Sequence, residues 1–344
     1  MATMDIFASD AFSQVTLSDA LTRMPTQFGR INSLGLFASN PVPTTSVIVE
    51  IENGVLNLIP SAPRGAGKAT GGIGGKRELK SFVIPHFPHE DNITTLDVQN
   101  VRPFGQEFGL ETAEAVVTKK LTLIRKKFDQ TLEFLRASAL RGSLIDANGS
   151  VIYNYYTEFG GSQNNFAFPL DNSSADIGSW IESQVGDWYE LNSEGEMISG
   201  LHAFCSSVFF EKLVKHPSVK EAYKYFTANQ NPLREDLRTG FNFHGITFEK
   251  YLGRAAYLNP DNTTTTQKFV PDNEAIIFPL GTTDTFTNHW APMDHLDFVN
   301  TPGLEFYSQL VPARDGRSIA VQAEMNPLPM VKRPKLVSRA TITS

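Results

Sequence analysis

The most regular pattern of apolar positions in the chain lies between residues 107 and 141. Every third or fourth residue is apolar from Leu110 to Ala139, and no Gly or Pro interrupts that stretch. The spacing predicts one continuous helix over 107–141, about 50 Å long at about 1.5 Å per residue. Arg141 followed by Gly142 predicts where it ends. A coiled coil is the alternative for so long a helix, but the β-rich flanks favour a helix laid across a sheet.

A second pattern, the alternation of β-branched and polar residues, covers residues 46–59 and contains the turn signal Asn53-Gly54. A glycine-rich stretch follows, and a strand pattern returns at 81–84. Together these features predict two strands that carry a long basic tip and project from the body. An isolated two-stranded arm is marginal in water, so we expect a neighbour to order it. The tip residues that we expect to contact this neighbour are Arg64, Gly65, Lys68, Lys76, Arg77 and Lys80.

The rest of the chain predicts a hairpin over 142–156 and then, after the linker candidate DNSSAD at 171–176, a mixed block of helices and strands. A basic, strand-like stretch at 335–342 is expected to rejoin the first β-region. No internal repeat is visible. The helices predicted in the block cover 177–185, 207–215 and 218–226, and its strands cover 197–204, 242–249, 275–279, 304–309 and 318–324.

Composition narrows the class of protein. The 344 residues carry 30 Lys and Arg against 37 Asp and Glu, a formal charge of −7, and 41% are hydrophobic, which argues against disorder. The acidic balance disfavours a dedicated nucleic-acid binder. Cys205 is the only cysteine, so an intramolecular disulfide is excluded. No apolar run is long enough to span a membrane and no secretory signal pattern opens the chain, so we expect a soluble intracellular protein.

The glycine-rich stretch does not fit a phosphate-binding P-loop. That motif needs Gly five residues before its Gly-Lys pair and a hydroxyl residue after the Lys. For Gly67-Lys68 the two positions hold Ala62 and Ala69, and no helix is predicted to follow. A flexible hairpin tip explains the glycines better.

No other group of residues forms a recognisable catalytic or metal-binding pattern. The serines lack a G-x-S-x-G elbow. The isolated cysteine is more typical of a buried thiol than of a nucleophile, and the histidines lack the partners of a metal site. We therefore predict a non-enzyme without metal or cofactor; the residues weighed for these roles were Cys205, His86, His89, His289 and His295.

Taken in order, several segments resemble the lambda-like phage major capsid protein E family. The similarity covers about 46–342, and its strength lies in the shared order of many short matches. The matching segments are Leu58-Ile59-Pro60, Arg64-Gly65, Ile84-Pro85-His86, Val101-Arg102-Pro103-Phe104-Gly105, Thr131-Leu132-Glu133-Phe134, IDANGSVIYNYYTEFG at 145–160, His216-Pro217, FNFHGITFEKYLG at 241–253, Pro279-Leu280-Gly281, Ala291-Pro292-Met293-Asp294 and Asn326-Pro327-Leu328-Pro329.

This resemblance implies an α+β Hong Kong 97-type capsid fold. The expected parts are an N-terminal arm (1–45), an extended β-hairpin loop (46–90), a peripheral domain (91–172) with the spine helix at 107–141, an inserted α/β axial domain (173–330) and a C-terminal strand (331–344) returning to the peripheral domain. The resemblance also implies a role: major capsid protein of a tailed double-stranded DNA phage, which self-assembles into hexamers and pentamers of an icosahedral shell.

The partners implied are further copies of the chain, a scaffolding protein and a portal during assembly, a decoration protein as an optional addition, and packaged double-stranded DNA by non-specific contact. No membrane contact is expected. The location implied is the virion, with the host cytoplasm during assembly. Two alternatives remain open on the sequence: an encapsulin-like nanocompartment shell subunit of the same fold, and a soluble hydrolase that uses Cys205 or a histidine.

Overall fold

The computed structural model describes residues 17–18, 29–53, 76–98, 113–193, 195–222, 240–258, 261 and 263–343. The chain divides into two compact units. The first unit comprises 1–47, 82–133 and 287–329; the second comprises 48–81, 134–286 and 330–344. Each unit is interrupted along the sequence, so each is completed by segments far apart in the chain.

The described helices and strands follow the chain in this order. The helices are α1 Arg30–Ser33, α2 Thr95–Val98, α3 Ala113–Leu140, α4 Tyr155–Phe159, α5 Ile177–Trp180, a π-helical segment Ile181–Gly186, α6 Asp187–Asn192, α7 Ser207–Lys215 and α8 Pro217–Ala222, with 3-10 turns at Leu296–Phe298 and Pro334–Leu336. The strands are β1 Ala38–Pro41, β2 Ser46–Asn53, β3 Lys76–Val83, β4 Phe87–Thr94, β5 Ser143–Ile145, β6 Val151–Asn154, β7 Asn164–Phe168, β8 Gly200–Cys205, β9 Phe241–Phe243, β10 Ile246–Lys250, β11 Arg254–Leu258, β12 Thr264–Lys268, β13 Glu274–Leu280, β14 Phe286–Trp290, β15 Tyr307–Pro312, β16 Ser318–Met325, β17 Pro327–Val331 and β18 Ser338–Ile342.

The core of the first unit lies between the long helix α3 and a three-stranded antiparallel sheet of order β15-β16-β4. Alternate residues of β16 face the helix and are buried, as period-two alternation requires. The apolar stripe of α3 packs against them, which confirms the predicted arrangement of a helix on a sheet. The buried cluster comprises Leu17, Ile93, Val116, Val117, Leu121, Ile124, Phe128, Leu132, Trp290, Phe306, Val321, Ala323 and Met325.

The two halves of α3 are buried to different extents. Residues 114–131 keep one face exposed, whereas every residue from 132 to 140 is buried, Arg136 and Ser138 included. The helix ends at Leu140, one residue before the predicted end, and its predicted first turn lies outside the described residues. Gly142 then adopts φ +82°, a left-handed conformation that favours glycine and closes the helix.

The segment predicted as an N-terminal arm is described only at 17–18 and from 29 onward. Leu17 and Ile31 are buried in the first unit. The Ser18 hydroxyl accepts a hydrogen bond from the Ser308 backbone N–H at 3.0 Å, and β1 pairs in parallel with β14. These parts of the segment are therefore tied to the body of the unit.

The second unit is built on a six-stranded mixed sheet of order β7-β18-β13-β8-β10-β9. β18 runs parallel to β7 and antiparallel to β13. It thus pairs with a strand from the range predicted for the peripheral domain and with one from the range predicted for the axial domain. Apolar residues of α5, α6 and α7 pack on one face of this sheet. Cys205, the last residue of β8, lies in the same buried cluster.

One predicted strand, 242–249, is wrong: it is a hairpin of β9 and β10. His244 and Gly245 adopt φ 45° and 78°, and two successive positive φ values make the tight turn that joins such strands.

The linker candidate 171–176 is a series of turns whose last residue, Asp176, caps α5. The predicted hairpin over 142–156 is confirmed as β5 and β6.

Candidate assembly surface

The arm formed by β2 and β3 exposes apolar side chains. The two strands pair with each other, and the Ile84 backbone N–H donates to the Thr45 carbonyl at 2.9 Å at their base. Ile48, Leu79 and Val83 are 68%, 70% and 63% exposed. Such side chains grouped on a two-stranded ribbon are typical of a surface that another molecule covers.

Only some of the predicted tip residues lie in the part of the chain that the structure describes. Lys80 Nζ lies 3.5 Å from Oε2 of Glu158, so this lysine meets a carboxylate of its own chain. Lys76 and Arg77 belong to β3, whereas Arg64, Gly65 and Lys68 lie outside the described residues. The interpretation of these residues as contacts with a neighbouring subunit stays a prediction.

An open groove of about 390 Å³ lies in the first unit beside the start of β4 and the end of β16. Its most buried polar group is the carboxylate of Glu324, which is 5% exposed. This carboxylate accepts from the Asp294 backbone N–H at 3.1 Å and from the side-chain amide of Asn326. His86 Nδ1 approaches it at 3.0 Å. These groups bind one another and connect the segment before β4 with the end of β16.

The thiol of Cys205 is poorly suited to catalysis. The residue is fully buried in the core of the second unit, and burial raises the pKa of the thiol well above its usual value, against the opposing effect of a backbone hydrogen bond from Glu249. Its Sγ–H donates to the Ala203 carbonyl at 3.7 Å. Because the thiolate is the reactive form, this environment is that of a structural thiol.

The histidines weighed as metal ligands have separate contacts. His289 Nδ1 lies 3.1 Å from Nδ2 of Asn40, and the His295 ring accepts from the Asp297 backbone N–H at 3.3 Å. In the described part of the chain no three His, Cys, Asp or Glu residues come together as a metal site would require. No described helix is long and apolar enough to cross a membrane.

Comparison with known proteins points to one family. The model of the family "Phage major capsid protein E" matches residues 13–342. The chain is 30% identical over 341 residues to the major capsid protein of Pseudomonas phage KPP10, covering 95% of each chain. It is also 30% identical over 352 residues to the major capsid protein of Salmonella phage Felix O1, again covering 95% of each.

Solved structures resemble the chain in fold at low sequence identity. The capsid protein of cyanophage P-SCSP1u superposes with a TM-score of 0.51 at 11% identity, covering 93% of this chain and 90% of that one. A phage-related protein from Bordetella bronchiseptica superposes with a TM-score of 0.52 at 10% identity, covering 96% and 97%. At such identities the likeness concerns the fold alone.

Proposed function

Because the chain belongs to the phage major capsid protein E family, we propose that copies of it assemble as hexamers and pentamers into an icosahedral shell around double-stranded DNA. The protein is a major capsid protein of the virion, and its α+β architecture is the Hong Kong 97 capsid fold. The observation that carries the proposal is the family match over nearly the whole chain, residues 13–342. No observation favours the nanocompartment alternative.

The exposed apolar arm supports a shell held by many modest contacts. An arm that leaves Ile48, Leu79 and Val83 exposed in one chain gains a second layer when another subunit covers it. A standard interface buries about 1,600 Å², and several such interfaces per subunit hold a closed shell even when each contact is weak. The residues proposed for this contact are Arg64, Gly65, Lys68, Lys76, Arg77 and Lys80.

The same proposal extends to the division of the chain and to its partners. Residues 46–90 act as the extended loop, 91–172 with the long helix as the peripheral domain, and 173–330 as the axial domain. A separate scaffolding protein and a portal take part in assembly, and a decoration protein is an optional addition to the finished shell. The protein acts through assembly and not through catalysis, which agrees with the buried state of Cys205.

Charge reversal at the arm tip tests the assembly contact. In the full-length chain, Arg64→Glu combined with Lys76→Glu should leave the subunit folded by circular dichroism and abolish shells in negative-stain electron microscopy. The pair Lys215→Glu and Lys220→Glu, which changes the charge equally on the helices α7 and α8, should still form shells. Normal shells from the tip variant would remove the tip from the mechanism.

The shell itself is tested by the wild-type protein. Hollow shells or capsomer rings are expected when it is expressed with its genomic neighbours. A strictly monomeric particle under all such conditions would overturn the proposal.

A further inference from the structure

The exposed face of the long helix α3 is basic. Between residues 114 and 131, the side chains outside the buried core include Lys119, Lys126 and Lys127, with Glu114 as the one carboxylate of this stretch outside the core. Asp129, the other acidic residue of the stretch, is buried on the opposite side. At about 1.5 Å per residue, the lysines extend over about 10–12 Å of the helix.

Carboxylates do not neutralise these three lysines within the part of the chain that the structure describes. Most of the other described lysines are paired, with Lys220 and Lys335 as exceptions: Lys120 Nζ lies 3.0 Å from Oδ1 of Asp91, and further pairs are Lys80–Glu158, Lys212–Asp171, Lys215–Glu211, Lys250–Glu211, Lys268–Asp272 and Lys332–Asp284. No described carboxylate forms an ion pair with Lys119, Lys126 or Lys127.

The ammonium of Lys127 meets an imidazole rather than a carboxylate. Lys127 Nζ lies 3.1 Å from Nε2 of His89. Partial burial, and then the charge of Lys127 itself, lower the pKa of His89, while Asp91 opposes them. His89 is therefore neutral at pH 7 and accepts from the lysine, so the positive charge of the face is undiminished.

The opposite surface of the same unit has a different character. On the outer face of the sheet, Gln309 donates to Gln322 at 2.8 Å and Gln322 donates to Glu90 at 2.9 Å. Leu121, Ile124 and other buried residues of α3 fill the space between this sheet and the helix. The unit thus has a basic helical side and, across its core, a polar side that carries the exposed carboxylate of Glu90.

We propose that the lysine face of α3, formed by Lys119, Lys126 and Lys127, binds the phosphate backbone of duplex DNA and therefore faces the interior of the shell. This inference rests on the proposed function. Lysine is a point charge without the fork geometry of arginine, which suits non-specific phosphate contact. Three contacts per subunit are weak, but a shell repeats them over many subunits, so they act together.

The shape of the face favours a polyanion over a protein partner. A protein interface needs buried apolar or aromatic anchors in pockets, whereas this face is the convex surface of a helix whose one exposed large apolar side chain is Leu123, at 49%. Threonines occupy much of the remainder; Thr118 and Thr131 donate to carbonyls one turn earlier at 3.0 and 2.9 Å. Charge without a pocket fits a phosphate backbone.

The test compares two full-length triple variants that lose the same charge. The first is Lys119→Gln, Lys126→Gln and Lys127→Gln; the control is Lys215→Gln, Lys220→Gln and Lys335→Gln, at exposed positions of the second unit.

Binding of unassembled subunits to a fluorescent 30-base-pair duplex is measured by anisotropy between 50 and 200 mM salt. The helix variant should bind at least tenfold more weakly at 50 mM salt. Because each phosphate contact contributes about 0.9 to the slope of log K against log salt, its slope should fall by about 2–3. The control should match the wild type.

Assembly is measured separately with the same variants by electron microscopy. Shells of normal form from the helix variant, together with its weakened DNA binding, support the inference. An unchanged salt slope would overturn it; if shells were then also lost, the face would be a contact with another subunit or with the scaffolding protein. Failure of the wild type to form shells would count against the proposed function. The DNA-binding measurement uses unassembled subunits, so it would still test the lysine face.

Discussion

The guanidinium of Arg125 lies over the ring of Phe306, with its Cζ 3.7 Å from the ring centroid. One turn further along α3, Asp129 Oδ1 accepts from Nε of the same arginine at 3.0 Å. Both charged side chains are almost completely buried. The aromatic face and the carboxylate together explain how the apolar side of the helix accommodates a charge, because a buried charge requires such partners.

Arg125 should therefore be essential to the stability of the first unit. Arg125→Met removes the cation from beside the buried Asp129 and should cost about 3–5 kcal/mol. Arg125→Lys should also destabilise, since an ammonium lacks the planar group that stacks on Phe306. Urea unfolding of unassembled subunits measures both. Lys126→Met, on the exposed face, is the control and should change stability by about 0.5 kcal/mol or less. If Arg125→Met also changed stability by only about 0.5 kcal/mol or less, the interpretation would be contradicted.

Gly142 should tolerate no side chain. A Cβ at this position would lie 1.9 Å from Cε2 of Tyr156, and the backbone is left-handed at φ +82°. Gly142→Ala should cost about 1–2 kcal/mol for the backbone and about 1–3 kcal/mol for the clash, read as a lower unfolding midpoint. Gly316→Ala is a matched control, because φ is +66° there and nothing lies within 4 Å. Equal losses in the two variants would show that the Tyr156 contact is unimportant.

Asp176 should stabilise the second unit in a pH-dependent way. Its Oδ1 accepts from the Gly178 backbone N–H at 3.1 Å, and its Oδ2 accepts from the Ser179 hydroxyl at 2.7 Å. The hydroxyl is the main cause that lowers the pKa of Asp176 below its ordinary 3.8. A lowered pKa favours the carboxylate in the folded state, so the stabilisation is present above about pH 4 and disappears as the pH falls through the folded value.

Two variants separate the cap from the charge. Asp176→Ala should lose about 1 kcal/mol at pH 7, whereas Asp176→Asn keeps a capping side chain and should lose only a few tenths. Below pH 4 the melting temperature of the asparagine variant should fall less steeply than that of the wild type. Parallel curves for the two proteins would show that Asp176 does not titrate as described.

Cys205 should be inert in the native protein. Because burial disfavours its thiolate, a thiol reagent such as dithionitrobenzoate should label it slowly in native subunits and rapidly after unfolding in guanidinium chloride. Cys205→Ala serves as the blank. Rapid labelling of the native protein would revive the hydrolase alternative.

The sequence predicts best where one local pattern determines the structure. The stripe from Leu110 to Ala139 locates the helix, and Gly142 marks its end, because spacing and backbone conformation are local properties. β14 escapes prediction because Thr287, Asn288 and His289 make it look polar, although all three are buried. His289 is satisfied by Asn40, which lies 249 positions away, and no local pattern reveals such a contact.

The two candidate surfaces also differ from a local pattern in how far the sequence alone predicts them. Clustered lysines and glycines in the sequence predict a basic arm tip, but a contact with another subunit is not encoded in any spacing. The lysine face of α3 needed three-dimensional information as well. In sequence, Lys126 and Lys127 are followed closely by Asp129, and only its burial beside Arg125 leaves the exposed face basic.

The position of β18 has a consequence for biosynthesis. This strand lies between β7 and β13 in the sheet of the second unit, yet Ser338 is made 174 residues after its partner Asn164. At about 5–20 residues per second, translation of that interval takes roughly 9–35 s. Until β18 is made, the edge strand β7 has no partner in this sheet, and the edge of β13 that β18 covers stays unpaired. The sheet of the second unit therefore cannot be completed before β18 is synthesised, and the open edge of β13 is protected only once β18 inserts beside it.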